Sequence, residues 1–192
     1  MYSQIKEYIL NRIGIPGGDL DEAIQHSSIR HFNKGDYIIK AGDYCRFIGF
    51  INYGLIIGTI IDESGKEIAC SFTFENCFFT YTEGISANIP SHKNFMALED
   101  CEMLILEKEK LPVIFAINQK FETLFTRILA EEVTRLLLAD HNNRTLSAEE
   151  RYLHFINNCP QAFNRIPLKH IAGYLGIEPP SLSRLRKKLA GK

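Results

Sequence analysis

At Leu111-Pro112 the hydrophobic pattern of the chain changes period, from two residues to about 3.6, so the chain must build a sheet body first and helices after it. Upstream, from His31 onward, turn signals arrive about every ten residues: "NKGD", "AGD", "NYG", "DESGKE", "FENC" and "TEGISANIPS". Between them lie short runs rich in Ile, Phe, Tyr and Thr, namely "YIIK", "FIGFI", "LIIGTII", "IACSFTF", "FMALE" and "EMLIL". Short, evenly spaced β-branched and aromatic runs predict an antiparallel barrel or double-sheet roll. In "DESG", Gly65 is free to take positive φ, which suits a hairpin turn. Ahead of the roll, the opening residues read as a short helix, and "IPGGDLDEAIQHSSI" reads as a loop and a second one.

Downstream, "VIFAINQKFETLFTRILAEEVTRLLLAD" predicts one long helix, from about Ile114 to Ala139. Phe121, Leu124, Ile128 and Leu138 form one apolar stripe; Phe125, Leu129, Val133 and Leu136 form a second beside it. One stripe can pack on the roll, and the other suits a coiled-coil-like dimer seam interrupted by Glu131 and Arg135; the alternative buries both in one subunit. "HNNRT" reads as a linker. Ser147 and Glu150 then form a capping box that starts the helix "RYLHFINN". The expected organisation is α+β: a β-roll at residues 1–113, a dimerisation helix at 114–141 and a small helical domain at 145–192.

The net charge of −1 excludes a globally basic protein, but the charge is uneven. From Ile166 onward stand Lys169, Arg184, Arg186, Lys187, Lys188 and Lys192 against one acid, Glu178. The opening residues are too polar for a leader, and nowhere do about 18 apolar residues run together, so a cytoplasmic protein off the membrane is expected. The five cysteines are scattered, which predicts reduced thiols. Of six histidines only His31 and His92 lie near roll strands; His26, His141, His154 and His170 do not. With no H-x-H, Walker loop, G-x-G-x-x-G or nucleophile elbow, the expectation is no metal, no cofactor and no catalytic residue.

The C-terminal stretch "LKHIAGYLGIEPPSLSRLRKK" has the spacing of a helix-turn-helix. Two short helices crossing steeply need a small residue at the contact, a glycine in the turn and apolar supports. Ala172, Gly176 and Leu182 supply the first two and a support, together with Ile171, Leu175, Ile177 and Leu185. Pro167 suits the first turn of the first helix, and Pro179 or Pro180 that of the second. The second helix would show Ser181, Ser183, Arg184, Lys187 and Lys188 to solvent. Hydroxyls and lysines suit phosphate oxygens, and an arginine near the helix start can reach a guanine edge. Pro180 and Lys169 complete the candidate surface.

A roll, a long helix and a helix-turn-helix in that order resemble the Crp/Fnr superfamily of bacterial transcription regulators. In the roll, "KGDYIIKAGD", "FIGFINYGLI", "DESGKEI" and "ALEDCEMLIL" stand where such proteins carry their glycine turns, and "PSLSR" resembles the family's Glu-x-x-Ser-Arg motif with Pro180 for the glutamate. The resemblance implies double-stranded DNA, a second copy of the chain, RNA polymerase and an unidentified small-molecule effector as partners. The family's cyclic-nucleotide anchors, a Gly-Glu pair and an Arg after Pro, are replaced here by Thr80-Tyr81 and Pro90-Ser91. Phe79, Thr80, Tyr81, Ser91 and Lys93 are therefore the effector-pocket candidates, for a ligand other than cyclic AMP. The first cysteine is Cys45, which speaks against the iron–sulfur cluster of the Fnr branch. The family's β wing is absent before Lys192, so either the domain is wingless or the natural chain continues. A competing reading is a ligand-sensing or scaffold protein whose terminal domain reads no DNA sequence.

Overall fold

A computed structural model describes residues 2–190. Met1, Gly191 and Lys192, the last counted above among the terminal cations, lie outside the described residues. The chain divides into two compact units, residues 1–58 with 72–133 and residues 59–71 with 134–192.

The first unit is built around the predicted roll. Strands β1 (Ser28–Phe32), β8 (Cys101–Glu107), β3 (Phe47–Tyr53) and β6 (Phe78–Phe79) make one sheet in that order. The other has the order β2 (Tyr37–Ile39), β7 (Asn94–Ala97), β4 (Leu55–Ile61) and β5 (Glu67–Phe74). In the first sheet β8 pairs antiparallel with both β1 and β3, placing Phe50 opposite Leu104 and Ile29 opposite Leu104 on its other side.

Ile51, Ile56, Met103 and Ile105 belong to a buried cluster that also holds Phe47, Phe79, Tyr81 and Phe95. Phe50 and Leu104 join a second cluster with Ile5, Ile9, Leu20, Ile24, Phe121 and Leu124. These come from helices α1 (Ser3–Ile13), α2 (Gly17–Gln25) and α5 (Lys120–Thr145). Strands covered on both faces lose the polar alternation of a half-buried sheet, which is why "FIGFI" and "EMLIL" read as nearly continuous apolar runs. Each fully buried Leu, Ile or Phe contributes about 1.5–3 kcal/mol. Gly54, between β3 and β4, has φ +105°, and a Cβ there would lie 2.5 Å from Cys101 Sγ and 2.6 Å from Asp100 O. Only glycine fits this turn.

Three expectations change. The "TEGISANIPS" turn contains a short helix, α3 (Thr82–Ala87). The single helix expected from Ile114 to Ala139 is two, α4 (Leu111–Ile117) and α5, separated at Asn118. Asn118 is extended (φ −157°, ψ 125°), its carbonyl accepts from Phe121 N at 3.0 Å and its side-chain oxygen from Lys120 N at 3.0 Å. An asparagine that can bond the next turn's N–H groups favours a new helix start over continuation. Finally, "HNNRT" is not a linker, because α5 runs to Thr145. Arg144 pairs with Asp140 and Thr145 Oγ1 donates to His141 O at 2.8 Å.

On α5, Phe121 and Leu124 are buried, whereas Val133, Leu137 and Leu138 are 48%, 67% and 55% exposed. Leu138, which periodicity puts in one stripe with the buried Phe121 and Leu124, is thus outward, and Leu137, in neither stripe, is the most exposed of the three. Glu131 accepts from Arg12 Nη1 at 2.8 and 3.0 Å and from Arg127 Nε at 3.0 Å.

The second unit combines the tip of the β4–β5 hairpin with helices α6 (Ala148–Asn158), α7 (Leu168–Tyr174) and α8 (Pro179–Ala190). At the tip, Asp62 Oδ1 accepts from Ser64 N, Ser64 Oγ and Lys66 N, and these bonds lower its pKa, Ser64's hydroxyl most. The hairpin lies on α7: a Cβ at Gly173 would meet Ala69 N at 3.5 Å and Ile68 Cγ2 at 3.7 Å. Lys66 Nζ lies 3.7 Å from Glu178.

Candidate functional site

The helix-turn-helix forms as its spacing predicts. At the end of α7, Gly176 N donates to Gly173 O and Ile177 N to Ala172 O, both at 3.0 Å, with Gly176 at φ +66°. This is a Schellman ending, in which a left-handed residue lets the last carbonyls find donors and turns the chain sharply. Ser181 N and Leu182 N then return to Glu178 O at 2.9 and 3.1 Å, starting α8. Ala172 and Leu182 are fully buried, with Ile171 and Leu175 beside them. Pro179 holds the first helical position of α8, and Pro167 sits one step outside α7, as its N-cap.

Two features of this unit carried no sequence signal. Arg151 of α6 donates from Nε and Nη2 to Leu175 O, at 3.2 and 2.8 Å, and from Nη1 to Leu146 O at 2.7 Å. It thereby satisfies a carbonyl at the α7 terminus. Phe155 packs against Tyr174 with ring centres 5.3 Å apart and planes tilted by 48°, and burial raises the Tyr174 pKa. The capping box is present: Glu150 N donates to Ser147 Oγ at 3.3 Å and Ser147 N to Glu150 Oε2 at 2.8 Å, which lowers the Glu150 pKa.

Along α8, Pro180, Arg184, Lys187 and Lys188 are exposed, and Ser181 and Ser183 are half-buried. Arg184 Nη2 donates to Ser181 Oγ at 3.3 Å, one turn earlier. Lys188 is drawn aside, with Nζ 2.6 Å from Glu149 at the start of α6. Arg186, outside the candidate set, lies over the Phe163 ring at 4.5 Å. Lys169 is exposed on α7, and its neighbour His170 has its pKa lowered by burial and by Lys169, against the pull of Glu67. Pro180, Ser181, Arg184 and Lys187 therefore share one accessible side of α8.

The five effector-pocket candidates also come together, but turned toward their own neighbours. Phe79 and Tyr81 are 4% and 1% exposed and pack with Phe95, at ring distances of 5.2 and 6.2 Å. Thr80 Oγ1 donates to Phe47 O at 2.9 Å. Ser91 Oγ donates to Lys93 O at 2.7 Å and accepts from Lys93 N at 3.1 Å. Lys93 precedes β7 rather than lying in it, and its Nζ pairs with Glu83 at 3.3 Å. Among the described residues, no group of three His, Cys, Asp or Glu stands close enough together to hold a metal ion.

A two-sheet antiparallel roll is followed along the chain by a long helix and a compact helix-turn-helix unit. Residues 29–118 match the model of the cyclic nucleotide-binding domain. FixK2 from Bradyrhizobium japonicum is similar with a TM-score of 0.75 and 14% identity, over 86% of this chain and 85% of that one. The c-di-GMP responsive global regulator CLP of Xanthomonas campestris has a TM-score of 0.70 and 17% identity, over 92% of each chain. A transcriptional regulator of the Crp/Fnr family from Eubacterium rectale has a TM-score of 0.69 and 15% identity, over 92% and 84%. No curated protein matches. The chain therefore shares the fold of these solved structures, the roll-first, helix-turn-helix-last order that its sequence motifs implied. Among the described residues no helix is long and apolar enough to cross a membrane.

Proposed function

We propose that the protein is a cytoplasmic DNA-binding transcription regulator of the Crp/Fnr type that acts as a homodimer on a near-palindromic site. In this reading residues 1–113 form the regulatory domain, 114–141 the joining segment and 145–192 the DNA-binding domain. The observation that carries it is the exposed side of α8, with Arg184 and Lys187 exposed on a helix that follows the Gly176 ending and buries Leu182, as α7 buries Ala172. In this reading Arg184 reads a base edge, and Ser181, Ser183, Lys187 and Lys169 contact phosphates. Lys188 contributes less, since Glu149 neutralises it locally. The dimer seam is the C-terminal half of α5, where Val133, Leu137 and Leu138 are exposed. Two copies of α8 related by a two-fold would meet successive major grooves about 34 Å apart. RNA polymerase is the further macromolecular partner.

Selection of bound duplexes from a random pool tests the proposal. It predicts enrichment of a two-fold symmetric sequence. Salt-dependent binding of all duplexes alike would instead leave a sensing or scaffold protein that reads no sequence.

A further inference from the structure

We infer that Tyr81 is the roll's own occupant: a specificity-determining side chain that fills the place of a small-molecule effector, so that the roll supports DNA reading without one. The last clause rests on the DNA-reading proposal above; the filling of the roll does not.

Tyr81 opens α3, with Ile85 N donating to its carbonyl at 2.9 Å, and its ring turns inward to 1% exposure. One side of the ring lies against Gly84, where a Cβ would come within 2.5 Å of Tyr81 Cδ1 and 3.1 Å of Cε1. The ring therefore fits only because residue 84 has no side chain. Phe95 packs against it with the ring planes 53° apart. At the tip, the hydroxyl bonds His92 Nδ1 at 2.7 Å, so the one polar atom of a buried ring is satisfied. Lys93 Nζ stands 5.8 Å from the ring centre while paired with Glu83. Below, Lys108 Nζ donates to Ile85 O at 2.6 Å and ties α3 to the roll.

These contacts use the groups that a phosphate ligand would require. Ser91 has both its donor and its acceptor engaged by Lys93, Lys93 has Glu83, and Thr80 has Phe47 O. A cyclic nucleotide would have to expel a buried aromatic ring, break an ion pair and then meet Glu83, a carboxylate, beside its own negative charge.

Thermal unfolding of the full chain tests the filling without DNA. Tyr81→Ala should lower Tm by about 10 °C. p-Cresol, the tyrosine side chain as a free molecule, should raise the Tm of that variant saturably and leave the wild type unmoved. Millimolar cyclic AMP and cyclic GMP should move neither. Should Tyr81→Ala not fold, Gly84→Ala supplies the test, because its methyl group displaces the ring; a Tm equal to wild type would overturn the inference. So would failure of p-cresol to stabilise Tyr81→Ala, or a saturable rise in wild-type Tm with micromolar cyclic nucleotide. With a selected duplex, Tyr81→Ala should bind about 5- to 100-fold more weakly and recover with p-cresol. If the wild type binds no duplex selectively while the p-cresol rescue of Tm holds, the DNA-reading proposal fails and the filling of the roll stands.

Discussion

The hydroxyl of Tyr81, a residue 1% exposed, meets Nδ1 of the exposed His92 at 2.7 Å. The two are joined across the segment between α3 and β7, so one hydrogen bond closes that segment over the roll interior. Tyr81→Phe keeps the packed ring and removes this bond, which should cost about 0.5–1.5 kcal/mol. His92→Ala should cost a similar amount, because water at the exposed face can replace the imidazole. Denaturant melts of both variants check this, with an unchanged m-value expected.

Gly173 faces the β4–β5 hairpin with 3.5–3.7 Å to spare for a Cβ, which is ordinary contact. Gly173→Ala should therefore stabilise α7 by up to about 1 kcal/mol through helix propensity. Gly173→Leu should destabilise, since its longer side chain has to displace the backbone at Ala69. Opposite signs of ΔTm for the two substitutions are the expected result.

Glu131 is held below the usual carboxylate range, first by the hydrogen bond from Arg12, then by that from Arg127. A folded pKa lower than the unfolded one gives stability that is present above the unfolded value, 4.5, and is lost as pH falls through the folded value. The residue is 45% exposed, so the contribution is less than about 1 kcal/mol. Arg12→Ala should reduce stability at neutral pH and have a smaller effect below about pH 4, which acid titration of Tm would show.

Leu137 and Leu138 expose 67% and 55% of their surface on one end of α5. Leu137→Lys combined with Leu138→Lys should leave the fold intact and yield a monomer by sedimentation at tens of micromolar, where the wild type is expected to sediment as a dimer.

The roll was legible because each turn carries its own local chemistry, as at Gly65 and Gly54, and the helix-turn-helix because Ala172, Gly176 and Leu182 are close in sequence. The capping box at Ser147 was legible for the same reason. Asn118 was not, since apolar spacing continues across it and only its bonds to Lys120 N and Phe121 N stop α4. "HNNRT" has poor helix formers, yet Arg144 with Asp140 and Thr145 with His141 O hold it helical. Candidate residues were found by position, but not their engagement. That Glu149 takes Lys188, Glu83 takes Lys93, and His92 takes the Tyr81 hydroxyl depends on contacts that no local pattern encodes.

Whether α8 reads DNA sequence is decided by equilibrium binding of Arg184→Ala and Lys187→Ala to a selected duplex and a random one. Arg184→Ala should lose about 1–3 kcal/mol on the selected duplex and much less on random DNA, relaxing preference at one base position in each half-site. Lys187→Ala should weaken both duplexes alike and flatten the salt dependence. Equal losses on both duplexes for both variants, or no loss for either, would contradict the assignment of α8 as the reading helix.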